Sequence, residues 1–335
     1  MTVRAAVVGS GAWGTALGSL LAREGHEVVL WCHEEEVARS ITRDRTNPYL
    51  TGVTLPDPVR ATTALDEAVT DAGLVLSVSP SQFVGGVMAR AAPHLDPDCL
   101  LVSASKGIEL TTLRRMDQVL AAVVPEQVMS RFSVLSGPSF AAEVAREAPT
   151  AVAVASLDPE ARRRVQELFQ TSSFRVYTTP DVVGVELGGA LKNVIAVAAG
   201  VAAGLGFGHN TLAALITRGL AEIRRLGVAL GARRETFAGL AGMGDLVLTC
   251  TGDLSRNRTV GFRLGKGERL ADILDDMSAV AEGVKTADAV RELARRHAVE
   301  MPITEQVHAI IHGDRSPSDA LRALMLRDPK PEEWS

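Results

Sequence analysis

Six residues near the start of the chain, Gly9-Ser-Gly-Ala-Trp-Gly14, constrain its fold more than any other stretch. They follow a short apolar run, Arg4 to Val8. They open a segment in which Ala16, Leu17, Leu20 and Leu21 share one helical face, opposite Arg23 and Glu24. Gly25 stands where helices commonly stop, and Glu27 to Trp31 reads as a second strand. A strand, GxGxxG, helix and strand within about 30 residues is the context that makes this motif specific for a dinucleotide. Each glycine has its own task. Gly9 makes the tight turn, Gly11 lets a pyrophosphate approach the backbone, and Gly14 lets helix pack on strand. Ser10, Ala12 and Trp13 complete the loop, and the helix N-terminus faces the phosphates.

The end of the second strand speaks to which dinucleotide. A site selective for NAD places Asp or Glu there to hold the ribose 2′-hydroxyl. This chain has Cys32 and His33, with Glu34 arriving late and Arg39 and Arg43 following. Without a carboxylate at the strand tip, a 2′-phosphate meets no repulsion, so the expectation is NADP favoured and NAD tolerated. His33 reads equally well as a solvated loop residue.

Further apolar runs at Leu74 to Ser79, Cys99 to Ala104, Phe132 to Leu135 and Ala151 to Ala155 alternate with helical patterns. This predicts a Rossmann-type, doubly wound and mostly parallel sheet. Ligands on such sheets lie at the carboxyl ends of strands. Lys106 and Gly137-Pro138-Ser139 stand at two such ends, while Asn47 to Pro58 reads as a loop extending over the cofactor. After Arg175 to Pro180 only helical patterns continue. The expected division is therefore a dinucleotide-binding domain over 1–179, an all-α domain over 180–328 and a flexible tail over 329–335.

The all-α part begins with Asp181 to Gly208, a small-residue apolar stretch interrupted by Glu186, Lys192 and Asn193. Those polar residues argue against a membrane span. Gly188, Gly189, Ala196 and Ala199 share a helical face with Lys192, so the amine rises from a flat surface that a ligand can approach. The chain has 30 arginines and five lysines. A lysine in an apolar, glycine-flanked stretch is thus out of keeping with the ordinary charged surface, and both Lys106 and Lys192 qualify.

Other polar groups carry less by themselves. Asp245, in Gly242-Met-Gly-Asp, reads as a residue of a loop between helices. Ser255-Arg256-Asn257 opens a helix with Asp253 or Ser255 as its cap; it reads as an anion site or as solvated polar residues. His308 and His312 have the i, i+4 spacing of metal ligands, but no third ligand lies at a recognisable spacing, so they read as a solvated helix face and no metal is expected.

Composition sets broad limits. A 335-residue chain with 46% hydrophobic and 22% charged residues fits a two-domain globular protein. A net charge of −5 without a basic run argues against a nucleic-acid partner. Cys32, Cys99 and Cys250 are odd in number and widely spaced, which fits a reducing cytoplasm. The opening apolar run, Ala5 to Gly9, is too short for a signal peptide and reads as a strand. The small-residue stripe suits either a homodimer interface or a monomer's own core.

Taken together, GSGAWGTA (9–16), SKGIE (105–109), SGPSFAAE (136–143), ELGGALKNVIA (186–196), GFGHN (206–210), GMGDLVLTC (242–250), SRNR (255–258), AEGVKT (281–286) and MPIT (301–304) resemble bacterial NAD(P)-dependent glycerol-3-phosphate dehydrogenases. The resemblance implies reduction of dihydroxyacetone phosphate to sn-glycerol 3-phosphate for phospholipid synthesis. It implies Lys192 as proton donor and acceptor. It implies substrate contacts from Lys106, Gly137, Ser139, Asp245, Ser255, Arg256 and Asn257. Trp13, His33, Lys106, Ala141, Arg256, Val280 and Glu282 would touch the dinucleotide. Ser139 stands where many members have threonine, and Val284 where some carry an aromatic. Two alternatives remain open: a β-hydroxyacid dehydrogenase of the 6-phosphogluconate or hydroxyisobutyrate kind, and a non-catalytic dinucleotide sensor.

Overall fold

A computed structural model describes residues 2–277, 282–329 and 331–332. Val280, and within the 329–335 tail Lys330 and residues 333–335, lie outside the described residues. The chain forms two compact units. One comprises residues 1–109 and 114–186, the other residues 110–113 and 187–335.

The first unit is built on one sheet of eight strands: β1 (Arg4–Val8), β2 (Glu27–Trp31), β3 (Val59–Thr62), β4 (Leu74–Ser77), β5 (Leu100–Ser103), β6 (Ser133–Ser136), β7 (Thr150–Ala155) and β8 (Phe174–Thr179). Their order is β3-β2-β1-β4-β5-β6-β7-β8. Every neighbouring pair is parallel except β6 with β7. The strands read as continuous apolar runs because the central ones are covered on both faces; all four residues of β4 and of β6 are buried.

The mostly parallel architecture is the expected one, with two differences. β3 emerges from what reads as loop sequence. Only Val59 of its four residues is buried, so it carries almost no apolar signal and is held by its ladder to β2. The segment that reads as a boundary, Arg175 to Thr179, is an edge strand paired along its length with β7.

Strand order reverses between β1 and its neighbours β2 and β4, which opens the crevice where ligands of such sheets bind. Gly9 follows β1 at this point with φ 128°. A Cβ there would lie 2.9 Å from the backbone of Val78 and Ser79 beyond β4, so only glycine fits.

The helix Val182–Gly204 starts within the first unit and continues into the second. Glu186 interrupts its apolar run for a local reason: its carboxylate accepts the backbone N–H of Asp117 at 2.9 Å, in the first turn of the helix Met116–Ala121. Burial, and then the nearby Asp117, hold Glu186 well above the usual carboxylate range. This helix is long and apolar enough to cross a membrane, yet 94% of its most apolar window is buried inside the protein.

Among the described residues all the regular secondary structure of the second unit is helical. Its helices approach closely through glycines. A Cβ on Gly200 would lie 2.0 Å from the Arg258 carbonyl oxygen, and one on Gly261 would lie 2.0 Å from that of Val197. Gly200 is therefore where the helix Arg256–Gly265 packs against the Lys192 helix. Glu222, 2% exposed, caps the helix Pro302–Ile311 by accepting the backbone N–H groups of Ile303 and Thr304 at 2.6 and 3.2 Å. Burial pushes its carboxyl up to about 7.

Candidate active site

In the first unit, the glycine loop and the start of the helix Ala12–Arg23 form a cradle of bare backbone. A Cβ on Gly14 would strike the Gly9 carbonyl oxygen at 2.0 Å, which seats the helix on the loop. Gly11, by contrast, has nothing within 4 Å of where its Cβ would be. Space beside a helix N-terminus, kept by a glycine that no packing requires, is what a pyrophosphate needs. The Trp13 indole nitrogen is shielded from water and has no hydrogen-bond partner among the described residues. These features fit a bound dinucleotide.

The loop is held from behind by a residue with no motif to announce it. Asn47 is 2% exposed, and its amide donates to the Ser10 carbonyl at 2.8 Å and to Thr15 Oγ1 at 2.7 Å. Its Oδ1 accepts the backbone N–H of Tyr49 at 2.9 Å. The stretch that reads as a loop over the cofactor thus begins as a peg beneath the phosphate loop.

Past the tip of β2, His33 is exposed. The Glu34 carboxylate accepts from the Tyr49 hydroxyl at 3.2 Å, and Arg39 pairs with Glu35 at 2.9 Å. At the ends of β5 and β6 three predicted residues meet. Lys106 Nζ and Ser139 Oγ both donate to the Gly137 carbonyl, at 3.1 and 3.0 Å. Gly137 has φ 150° and lies so close to Val152 that a Cβ would come within 2.9 Å of its Cα. Ala141 opens the next short helix, Ala141–Ala145.

In the second unit Lys192 and Asp245 form a buried ion pair. Nζ donates to Asp245 Oδ1 at 2.6 Å and to Thr249 Oγ1 at 2.8 Å, with the aspartate 1% exposed. Thr249 in turn donates to the Asp245 carbonyl at 2.6 Å. The loop expected around Asp245 is instead a wide π-helical turn, Leu240–Gly244, running into the helix Asp245–Thr251. That places Thr249 one turn after Asp245 on the same face, a spacing already legible in GMGDLVLTC.

One glycine of the face beside Lys192 meets protein and not open space. Gly188 is filled by protein, since a Cβ there would lie 2.3 Å from the Ala241 carbonyl oxygen. Its absence of side chain brings the π-helical turn close enough for Asp245 and Thr249 to reach the amine. Beside them burial pushes the Cys250 thiol up to about 12, so it stays un-ionised.

Ser255 is the N-cap of the helix Arg256–Gly265, its hydroxyl accepting from the Arg258 N–H at 3.3 Å. Arg256 is exposed, with no ion-pair partner among the described residues. Asn257 Oδ1 accepts the Gly283 N–H at 2.9 Å, next to Glu282, which opens the described helix Glu282–Arg296.

Two family models match this chain: residues 4–162 match the N-terminus, and residues 181–322 the C-terminus, of NAD-dependent glycerol-3-phosphate dehydrogenase. The chain belongs to this family. It is 59% identical over 335 residues to the glycerol-3-phosphate dehydrogenase (NAD(P)+) of Geobacter sulfurreducens, covering 100% of both chains. It is 55% identical over 334 residues to the enzyme of that name from Koribacter versatilis, covering 99% of each. The crystal structure of glycerol-3-phosphate dehydrogenase from Coxiella burnetii matches with a TM-score of 0.92 at 39% identity, covering 97% of this chain and 99% of that one. A ketopantoate reductase from Ralstonia eutropha, at 16% identity and a TM-score of 0.57, shares the fold alone.

Proposed function

We propose that the protein catalyses the reversible NAD(P)H-dependent reduction of dihydroxyacetone phosphate to sn-glycerol 3-phosphate. It would act in the cytoplasm and supply glycerophospholipid synthesis. The observation that carries this reading is the buried Lys192–Asp245–Thr249 centre in a chain whose other unit presents a dinucleotide cradle.

A bound nicotinamide supplies the hydride. As the ketone is reduced, negative charge grows on its oxygen, and a lysine ammonium there stabilises that charge and delivers the proton. Asp245 compensates the lysine's charge, and with Thr249 fixes the direction of Nζ, so orientation is settled before substrate arrives. Arg256 and the N–H groups of the helix turn it opens suit a phosphate; Ser255 shapes that turn as its cap, and Asn257 ties it to Gly283. Binding energy from the phosphate then positions a small ketone that has little else to grip. Lys106, held to the Gly137 carbonyl beside Ser139, supplies a further cation and hydroxyl for polar groups of substrate or dinucleotide. A preference for NADPH over NADH is supported by the tip of β2, where the first carboxylate, Glu34, is taken up by Tyr49.

The test is a substrate panel read as NADPH and NADH oxidation. Turnover with dihydroxyacetone phosphate is expected. Turnover of NADP+ with 6-phosphogluconate or hydroxyisobutyrate and none with the triose would favour a hydroxyacid dehydrogenase. Dinucleotide binding without turnover of any of these would favour a sensor.

A further inference from the structure

His308 and His312 lack a third ligand at a recognisable spacing in the sequence, yet tertiary packing brings one to them. Asp288, on the helix Glu282–Arg296, faces the last turn of the helix Pro302–Ile311. Its Oδ1 lies 2.7 Å from His312 Nε2 and 3.3 Å from His308 Nε2, and the imidazole centroids are 4.3 Å apart. The three ligand atoms all lie within 4.8 Å of one another. Ligands of a tetrahedral ion at zinc-like bond lengths are about 3.3 Å apart, so closure round an ion needs only small side-chain movements.

The surroundings favour a cation over an anion. The three side chains line an open cavity of ≈ 350 Å³ with Arg291, Arg295, Glu292 and Glu305. Both guanidiniums are already matched, Arg291 to Glu305 and Arg295 to Glu292, each at 2.8 Å. Asp288 pairs with no Lys or Arg among the described residues, which leaves its charge for whatever binds between the histidines. Burial, and then Arg291, hold His308 below the ordinary histidine value.

We propose that Asp288, His308 and His312 form a site for a divalent transition-metal ion of zinc type, open to solvent at its fourth position. Two imidazoles and one carboxylate suit zinc, cobalt or nickel and not magnesium or calcium. The ion would be bound through the Nε2 lone pairs, so a proton carried on Nε2 is displaced to Nδ1 or to solvent. The ion would clamp the two helices together, and it is separate from the Lys192 centre in its residues and its chemistry.

The experiment uses the full-length chain without an affinity tag, stripped with chelator and titrated with Zn2+ by calorimetry and with Co2+ by visible absorption. One equivalent of Zn2+ is expected, with ligand-field bands for Co2+ and a rise in the thermal unfolding midpoint. All three should be lost in H308Q/H312Q and weakened in D288N, with metal-free turnover and circular dichroism unchanged in both. Equal zinc binding by wild type and H308Q/H312Q would overturn the proposal, as would no binding at millimolar zinc. So would cobalt–thiolate charge-transfer bands, which would assign the metal to cysteine. Stabilisation by inorganic phosphate and not by zinc, lost in H308Q/H312Q, would make the cavity an anion site instead.

Discussion

Asn47→Ala removes three hydrogen bonds at once: two from the amide to Ser10 O and Thr15 Oγ1, and one accepted from the Tyr49 N–H. At about 1 kcal/mol net for each, the expected destabilisation is about 3 kcal/mol. The Ser10 carbonyl keeps its bond from Thr15 Oγ1 at 3.2 Å, which limits the loss at that end. Part of the cost reappears on binding, because a slack phosphate loop must be ordered by the ligand. If about 1.4 kcal/mol is spent in that way, the Kd for NADPH rises about tenfold. Asn47→Asp separates hydrogen bonding from packing. It is nearly isosteric and keeps an acceptor for Tyr49, but it turns an acceptor toward the Ser10 carbonyl. It should therefore be at least as damaging as alanine. The assays are urea unfolding and a fluorescence titration with NADPH. Wild-type stability and Kd in Asn47→Asp would refute the view that this amide pegs the loop.

Three further outcomes are expected. Gly11→Ala should fold with wild-type stability, because nothing lies within 4 Å of the new methyl, yet lose dinucleotide affinity; unchanged NADPH binding would mean that the space serves no ligand. Gly188→Ala should cost about 1–3 kcal/mol by overpacking against the Ala241 carbonyl and lower kcat more than it weakens NADPH binding; full turnover would show that Asp245 does not depend on this close approach. Glu222 has a folded-state pKa of about 7, above the ordinary carboxyl value. The folded protein therefore holds a proton that the unfolded chain releases, and stability falls as pH rises from about 4.5 to about 7. Glu222→Gln should flatten that part of the profile by up to about 3 kcal/mol, and an unflattened profile of unfolding free energy would refute the assignment.

The parallel sheet and the phosphate loop were legible because their signals are local. Buried strands are continuous apolar runs, and GxGxxG states its geometry in six residues. β3 was not legible, since a strand with one buried residue is held by its neighbour's ladder. Lys192 stood out as a cation in an apolar stretch, and Asp245 as a candidate site residue, but the route by which Asp245 and Thr249 reach the amine did not. Asp245 and Thr249 reach it through a π-helical turn that Gly188 lets in, and a Gly-Met-Gly sequence looks like a loop until that contact exists. Asn47 sits in a proline- and glycine-punctuated stretch where a buried peg and a solvated turn read alike. Asp288 lies 20 and 24 residues before the two histidines on another helix, so no spacing rule connects them. In each case the missing information is a contact between segments distant in sequence.

The most direct test of the catalytic assignment is steady-state reduction of dihydroxyacetone phosphate by Lys192→Ala, measured beside its NADPH affinity and circular dichroism. Loss of a positioned proton donor should lower kcat by about 10²–10⁴-fold, with the fold and the Kd for NADPH preserved. A folded Lys192→Ala protein that reduces the triose within a few-fold of the wild-type rate would contradict the account.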